Sequence, residues 1–72
     1  MNEFSSMLTQ KRELKKLTKV QVAEMMGLTP MYYSRFENGY LFPTKRNIKQ
    51  FSEFLEIEED ELLSVIEKNK KT

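Results

Sequence analysis

Side chains able to make or break covalent bonds are scarce in this chain. It has no cysteine and no histidine, and Asp60 is its one aspartate. That removes a thiolate zinc site, an imidazole general base and a disulfide framework. The densest carboxylate group, Glu58, Glu59, Asp60 and Glu61, has the form of a solvated helix start, where acids complement the positive end of the helix. Two glycines do not build a glycine-rich phosphate cradle. An enzyme is therefore not expected, and no metal or other cofactor is implied. What remains is recognition by charge and hydrogen bonding. Lys and Arg number 12 against 11 acids, a net charge of +1. Residues 1–50, however, hold nine cations (Lys11, Arg12, Lys15, Lys16, Lys19, Arg35, Lys45, Arg46 and Lys49) against Glu3, Glu13, Glu24 and Glu37, a local net of +5, while residues 51–72 stand at −4. A basic half of this kind suits an anionic partner such as nucleic acid.

The same half contains the stretch that must position those groups, LTKVQVAEMMGLTPMYYSRFEN, residues 17–38. Its pattern predicts a helix from Lys19 to about Met26, a turn at Gly27-Leu28-Thr29 and a second helix from Pro30 to about Glu37. Thr18 and Thr29 are placed as N-caps, and Pro30 sits at the first helical position, where its missing N–H costs nothing. Val22, Ala23 and Met26 form an inward stripe on the first helix, Tyr33 and Phe36 on the second. Pro30, Met31, Ser34 and Arg35 remain outward, with Tyr32 at the edge. This is the outline of a helix-turn-helix, whose second helix is shaped to enter a major groove.

Residue by residue, the stretch resembles the helix-turn-helix of the Cro and phage-repressor family, also called the XRE family of bacterial and phage transcriptional regulators. The matching features are Ala23 between the two helices, Gly27 and Leu28 in the turn, the Thr29-Pro30-x-Tyr32 opening of the second helix, the closing Glu37-Asn38-Gly39, and Pro43 shortly beyond. The resemblance covers roughly Phe4 to Leu63. It implies an all-α, five-helix, lambda-repressor-like domain that binds double-stranded DNA, most often as a homodimeric repressor, in the cytoplasm of a bacterium or on a phage or mobile element.

The resemblance also assigns residues. Base-facing positions fall on Thr29, Pro30, Met31, Ser34 and Arg35. Arg35 can bond in a bidentate way to guanine, whereas Pro30 cannot donate and Met31 is apolar, so these two could at most touch thymine methyls or measure groove width. Phosphate contacts fall on Thr18, Lys19, Tyr32, Asn38, Tyr40, Lys45 and Arg46. Lys19 replaces the family's usual glutamine, and a lysine there is either a phosphate contact or merely solvated. Arg12 aligns with an arginine that in some members forms a buried ion pair to the glutamate matching Glu37; the alternative is two ordinary surface charges. Lys16 stands where members often carry a glycine.

Departures concentrate at Tyr40-Leu41-Phe42, where the family tends to place basic residues. Either Leu41 and Phe42 fold back onto the core and leave Tyr40 outside, or the three form an apolar patch for a protein partner. The second option supports an alternative function, a protein-interaction module of the same fold such as an antitoxin or accessory factor.

Elsewhere the periodicity predicts a first helix from Asn2 or Glu3 to about Lys15, with Phe4, Met7, Leu8, Leu14 and then Leu17 inward. A fourth helix, capped by Thr44, runs to about Glu56 and buries Ile48, Phe51, Phe54 and Leu55. A fifth spans about Glu58 to Glu67, on which Leu63, Val65 and Ile66 either contact a second subunit or complete the core. The domain is set at residues 1–67, with 68–72 a polar, frayed tail. At 72 residues such a domain buries only about 60% of the surface its unfolded chain exposes. No apolar run approaches the roughly 20 residues a membrane helix needs, and no secretory leader is visible, so no membrane partner is expected.

Overall fold

Residues 2–70 are described by a computed structural model of the chain. Five helices follow one another: α1 Glu3–Leu14, α2 Lys19–Met26, α3 Pro30–Glu37, α4 Ile48–Leu55 and α5 Glu59–Lys70. No strand occurs among the described residues, so the fold is the all-α arrangement expected.

The helix starts are fixed by side chains. Asn2 and Ser5 form a reciprocal capping box at α1, Asn2 Oδ1 accepting from the Ser5 amide at 2.8 Å and Ser5 Oγ from the Asn2 amide at 3.0 Å. Thr18 and Gln21 repeat the device at α2, and Thr29 Oγ1 accepts from the Tyr32 amide at 3.2 Å ahead of Pro30. Each such cap satisfies one or two amides that the helix itself leaves unpaired.

α1 packs against α3, α4 and α5, and α2 packs against α3. Phe4 and Leu8 supply α1's buried stripe, Val22, Ala23 and Met26 that of α2, and Tyr33 and Phe36 that of α3. Aromatic rings link these elements: Phe4 meets Phe51 edge-on with centroids 5.6 Å apart, and Phe51 meets Phe36 at 4.7 Å. Such pairs each add about 0.5–1.5 kcal/mol beyond area burial.

Four expectations are corrected. Leu14 is 78% exposed, because α1 ends there and the chain turns before the stripe's next position. Regular helix α4 starts at Ile48, not at the turn of residues 45–47; Asn47 and not Thr44 stands at its N-cap, without a side-chain cap hydrogen bond, and Asn47 Oδ1 instead accepts from the Thr44 amide at 2.9 Å across that turn. Helix α5 continues through Lys70, and Asn69 Oδ1 accepts from the Glu3 amide at 2.7 Å, so residues 68–70 belong to the domain. The rest of the expected tail, 71–72, lies outside the described residues. Ile66 is 2% exposed, inside the monomer core with Leu62, and offers nothing to a second subunit.

A polar cluster crosses the core between α1 and α3. Arg12 Nε donates to Glu37 Oε2 at 2.6 Å and Nη2 to Oε1 at 3.2 Å, while Nη1 donates to the Leu17 carbonyl at 3.0 Å. Thr9 Oγ1 donates to Glu37 Oε1 at 3.1 Å, and the Tyr33 hydroxyl donates to Oε2. Glu37 is 3% exposed. Burial alone would push its carboxyl up, but the hydrogen bonds from Arg12, Tyr33 and Thr9 and the Arg12 charge outweigh burial and hold it below the ordinary range. Burial, together with the hydrogen bond to Glu37, pushes the Tyr33 hydroxyl up, so it stays protonated and donating.

Two helices end on non-glycine residues in the left-handed region. Lys16 has φ 57° and Glu56 φ 61°. In each case the amide of the following residue closes the helix end: Leu17 N–H reaches the Arg12 carbonyl at 3.1 Å, and Ile57 N–H reaches that of Ser52 at 3.2 Å. The same closure at α2 and α3 uses Gly27 and Gly39. Glu56 is also ion-paired to Lys11 at 2.9 Å and Lys15 at 3.4 Å; Lys16 is exposed and without such a pair among the described residues.

Three outcomes are expected of these contacts. Lys16→Gly should raise stability in denaturant unfolding by about 0.5–1 kcal/mol, because it removes the Cβ clash of a left-handed residue while giving back some backbone entropy. Arg12→Met should lower stability by about 3–5 kcal/mol, since it strands a buried carboxylate. Because Glu37's pKa is depressed in the folded state, its stabilisation is complete above the unfolded value of about 4.3 and is lost as pH falls through the folded value. Acid unfolding followed by circular dichroism should show that loss in the wild type and not in Glu37→Gln.

Candidate nucleic-acid interface

With Tyr33 and Phe36 buried, the opposite side of α3 is left free. Thr29, Pro30, Met31 and Arg35 are exposed and Ser34 is half-buried. Met31, at 73%, is the most open large apolar side chain on this helix. Tyr32 is partly exposed and stands edge-on to the Phe36 ring at 5.1 Å.

The start of α2 provides a second group of donors. Thr18 is exposed and Lys19 half-buried. Thr18 Oγ1 accepts from the Gln21 amide at 3.1 Å, which leaves its own O–H proton available. The helix N-terminus adds unpaired first-turn amides and a partial positive charge, a combination that receives phosphate. Asn38 caps the C-terminal end of α3, exposed.

Beyond Gly39 the chain settles the alternatives at the loop. Leu41 and Phe42 are half-buried against the core, and the Phe42 ring lies 6.0 Å from that of Phe4. Tyr40 is 78% exposed. The loop therefore does not present a three-residue apolar patch; it turns two of its three large side chains inward. Lys45 and Arg46 follow in the exposed turn before α4. On α5, Leu63 is 46% exposed and Val65 is partly buried against the core.

Ion pairing sharpens the charge pattern. Among the described residues Lys11 and Lys15 pair with Glu56, and Arg12 with Glu37. No ion pair there engages Lys16, Lys19, Arg35, Lys45, Arg46 or Lys49. The uncompensated cations thus include the start of α2, the outer side of α3 and the turn before α4.

Sequence reasoning placed Arg12 opposite Glu37 but did not include Thr9, Tyr33 or the Leu17 carbonyl in their cluster. Spacing carried the signal: Thr9 and Arg12 lie three apart on α1, Tyr33 and Glu37 four apart on α3, so each pair shares a helix face. Gln21's role as partner of the Thr18 cap was likewise readable from the Thr-x-x-Gln spacing.

Comparison with known proteins agrees with this geometry. Residues 8–62 match a helix-turn-helix family model. The chain is also 37% identical, over 62 residues, to the HTH-type transcriptional activator BcrR of Enterococcus faecalis; the match covers 86% of this chain and 30% of that protein, so the chain spans about a third of its relative's length. No solved structure matches. No helix among the described residues is long and apolar enough to cross a membrane. With its two short helices joined at Gly27, its Ala23 contact and its free outer α3 face, the chain belongs to the XRE-type helix-turn-helix family, a family of DNA-binding transcription regulators.

Proposed function

We propose that this chain is a sequence-specific reader of double-stranded DNA that acts as a homodimer on an operator. The observation that supports the reading best is the exposed side of α3, where Arg35, without an ion pair among the described residues, stands beside Met31, Pro30, Thr29 and Ser34. Arg35 reads guanine through N7 and O6. Thr18, Lys19, Tyr32, Asn38, Tyr40, Lys45 and Arg46 contact phosphates and set position and salt dependence.

Leu63, with the exposed part of Val65, supplies the two-fold contact, which sets two α3 helices on half-sites about one helical turn, roughly 34 Å, apart. Occupancy of an operator that overlaps a promoter represses transcription. The similar protein from Enterococcus faecalis is named an activator, so a reporter with the operator placed within and then upstream of the promoter distinguishes the two modes. The half-buried Leu41 and Phe42 give the partner-binding alternative little surface.

Selection of duplexes from a randomised pool at about 0.1 M salt, where distant charges are screened beyond about 10 Å, should enrich two inverted half-sites. Arg35→Ala should then cost about 1–3 kcal/mol of affinity for the selected site and relax its preference at one guanine. Lys19→Ala should weaken binding to all sequences alike and reduce the salt slope by about 1. Unchanged operator affinity in Arg35→Ala would exclude this role for it. Leu63→Lys should leave the helical content intact and shift the sedimentation velocity of the free protein to that of a monomer.

A further inference from the structure

We infer that A·T pairs in each half-site are read through the thymine methyl group, by Met31, and not through the hydrogen-bonding edge of adenine. The inference rests on α3 being the DNA-facing helix and specifies what that helix reads. Recognition of adenine in the major groove needs a side chain that both donates and accepts, which is the work of asparagine or glutamine. Helix α3 contains neither. The nearest glutamine, Gln21, has its carbonyl committed to the Thr18 amide at 2.8 Å. The nearest asparagine, Asn38, lies past the last residue of α3, at the far end of the helix from Met31.

The remaining candidates on the outer side are equally limited. Pro30 has no N–H. The Thr29 hydroxyl is tied to the helix start, its Oγ1 accepting from the Tyr32 amide, and a single hydroxyl does not make the paired donor-and-acceptor contact that distinguishes adenine; Ser34 is half-buried. Arg35 carries donors alone and so selects guanine.

Met31, by contrast, is a flexible, polarisable side chain left 73% exposed, where it gains nothing in the free protein. Thymine is the one base that offers an apolar group in the major groove. Met31 precedes Arg35 by four residues, which is about 6 Å along the helix and about two base-pair steps of 3.4 Å. The thymine sensed by Met31 therefore lies within about two base pairs of the guanine read by Arg35.

The test replaces thymines of the selected duplex, one position per half-site at a time, with deoxyuridine, which keeps every hydrogen-bonding group and removes only the methyl. At one position the wild-type protein should lose about four-fold in affinity per half-site, which corresponds to roughly 0.8 kcal/mol for one methyl-sized apolar group. Met31→Ala should bind the thymine and uracil duplexes equally, and Met31→Leu should restore the difference, with all three proteins showing the same thermal unfolding. If a selected site exists but no uracil position discriminates, or Met31→Ala still discriminates, the methyl inference is overturned while DNA reading stands. If no sequence is selected at any salt, both fall.

Discussion

The presentation of α3 depends on one guanidinium. Arg12, on α1, engages both oxygens of Glu37, at the last residue of α3, and the carbonyl of Leu17, just before α2. Helix α1, the entry to α2 and the end of α3 are thus tied at a single point. The geometry has an electrostatic logic: a carboxylate at a helix C-terminus faces the negative end of the helix dipole and is disfavoured there. Its burial adds a further penalty. Arg12, Tyr33 and Thr9 together reverse both effects, because every buried side-chain polar atom among the described residues has a partner. A buried ion pair of this kind adds little net stability compared with a packed apolar pair, yet loss of either member is expensive. Its contribution is therefore one of register, fixing how α3 is rotated relative to α1.

That register matters because α3 is only eight residues long. A helix of two turns does not persist alone in water, since isolated helices under about 12–15 residues are marginal. Its order comes from the side it buries, Tyr33 and Phe36, and from caps at both ends. The same economy explains the character of the outer face. Short helices spend their local polar side chains on closing their own ends: Thr18 and Gln21 cap α2, Thr29 caps α3, and Asn47 closes the turn into α4. What is left to face outward is mostly apolar or cationic, and the resulting surface combines Met31 and Tyr40 with Arg35 and Lys19.

Much of this was legible in the sequence where a rule has a strict spacing. The N-caps at Thr18 and Thr29, the glycine turn at Gly27, the helix stop at Gly39 and the inward stripes on α2 and α3 all follow from local chemistry, and the structure has them. Legibility failed where tertiary context decides. Leu14 continues the apolar stripe of α1 on paper, but the helix ends beneath it and no element covers it. Lys16 adopts a glycine's backbone angle because two hydrogen bonds at the end of α1 hold it there. Ile66 and Leu63 are three apart and look equivalent in sequence, yet α1 packs over one side of α5 only. Asn69 could not be placed from its neighbours alone, since besides donating to the Val65 carbonyl it accepts from the amide of Glu3, near the opposite end of the chain.

Net charge illustrates why such context outweighs composition. A chain at +1 has little long-range attraction for a polyanion, yet at physiological salt charges interact appreciably only within about 8 Å. The domain extends 30 × 23 × 22 Å, several times that distance, so a surface is judged by the charges upon it and not by the total. Pairing then removes opposing charges locally: Glu37 and Glu56, the acids closest to the cations of α1, are neutralised by Arg12, Lys11 and Lys15. The cations so consumed lie on α1 or at its C-cap, whereas Lys19, Arg35, Lys45 and Arg46 have no ion pair among the described residues. Local positive charge therefore persists on a nearly neutral protein, and the partial positive charge at the N-terminus of α2 adds to that of Lys19.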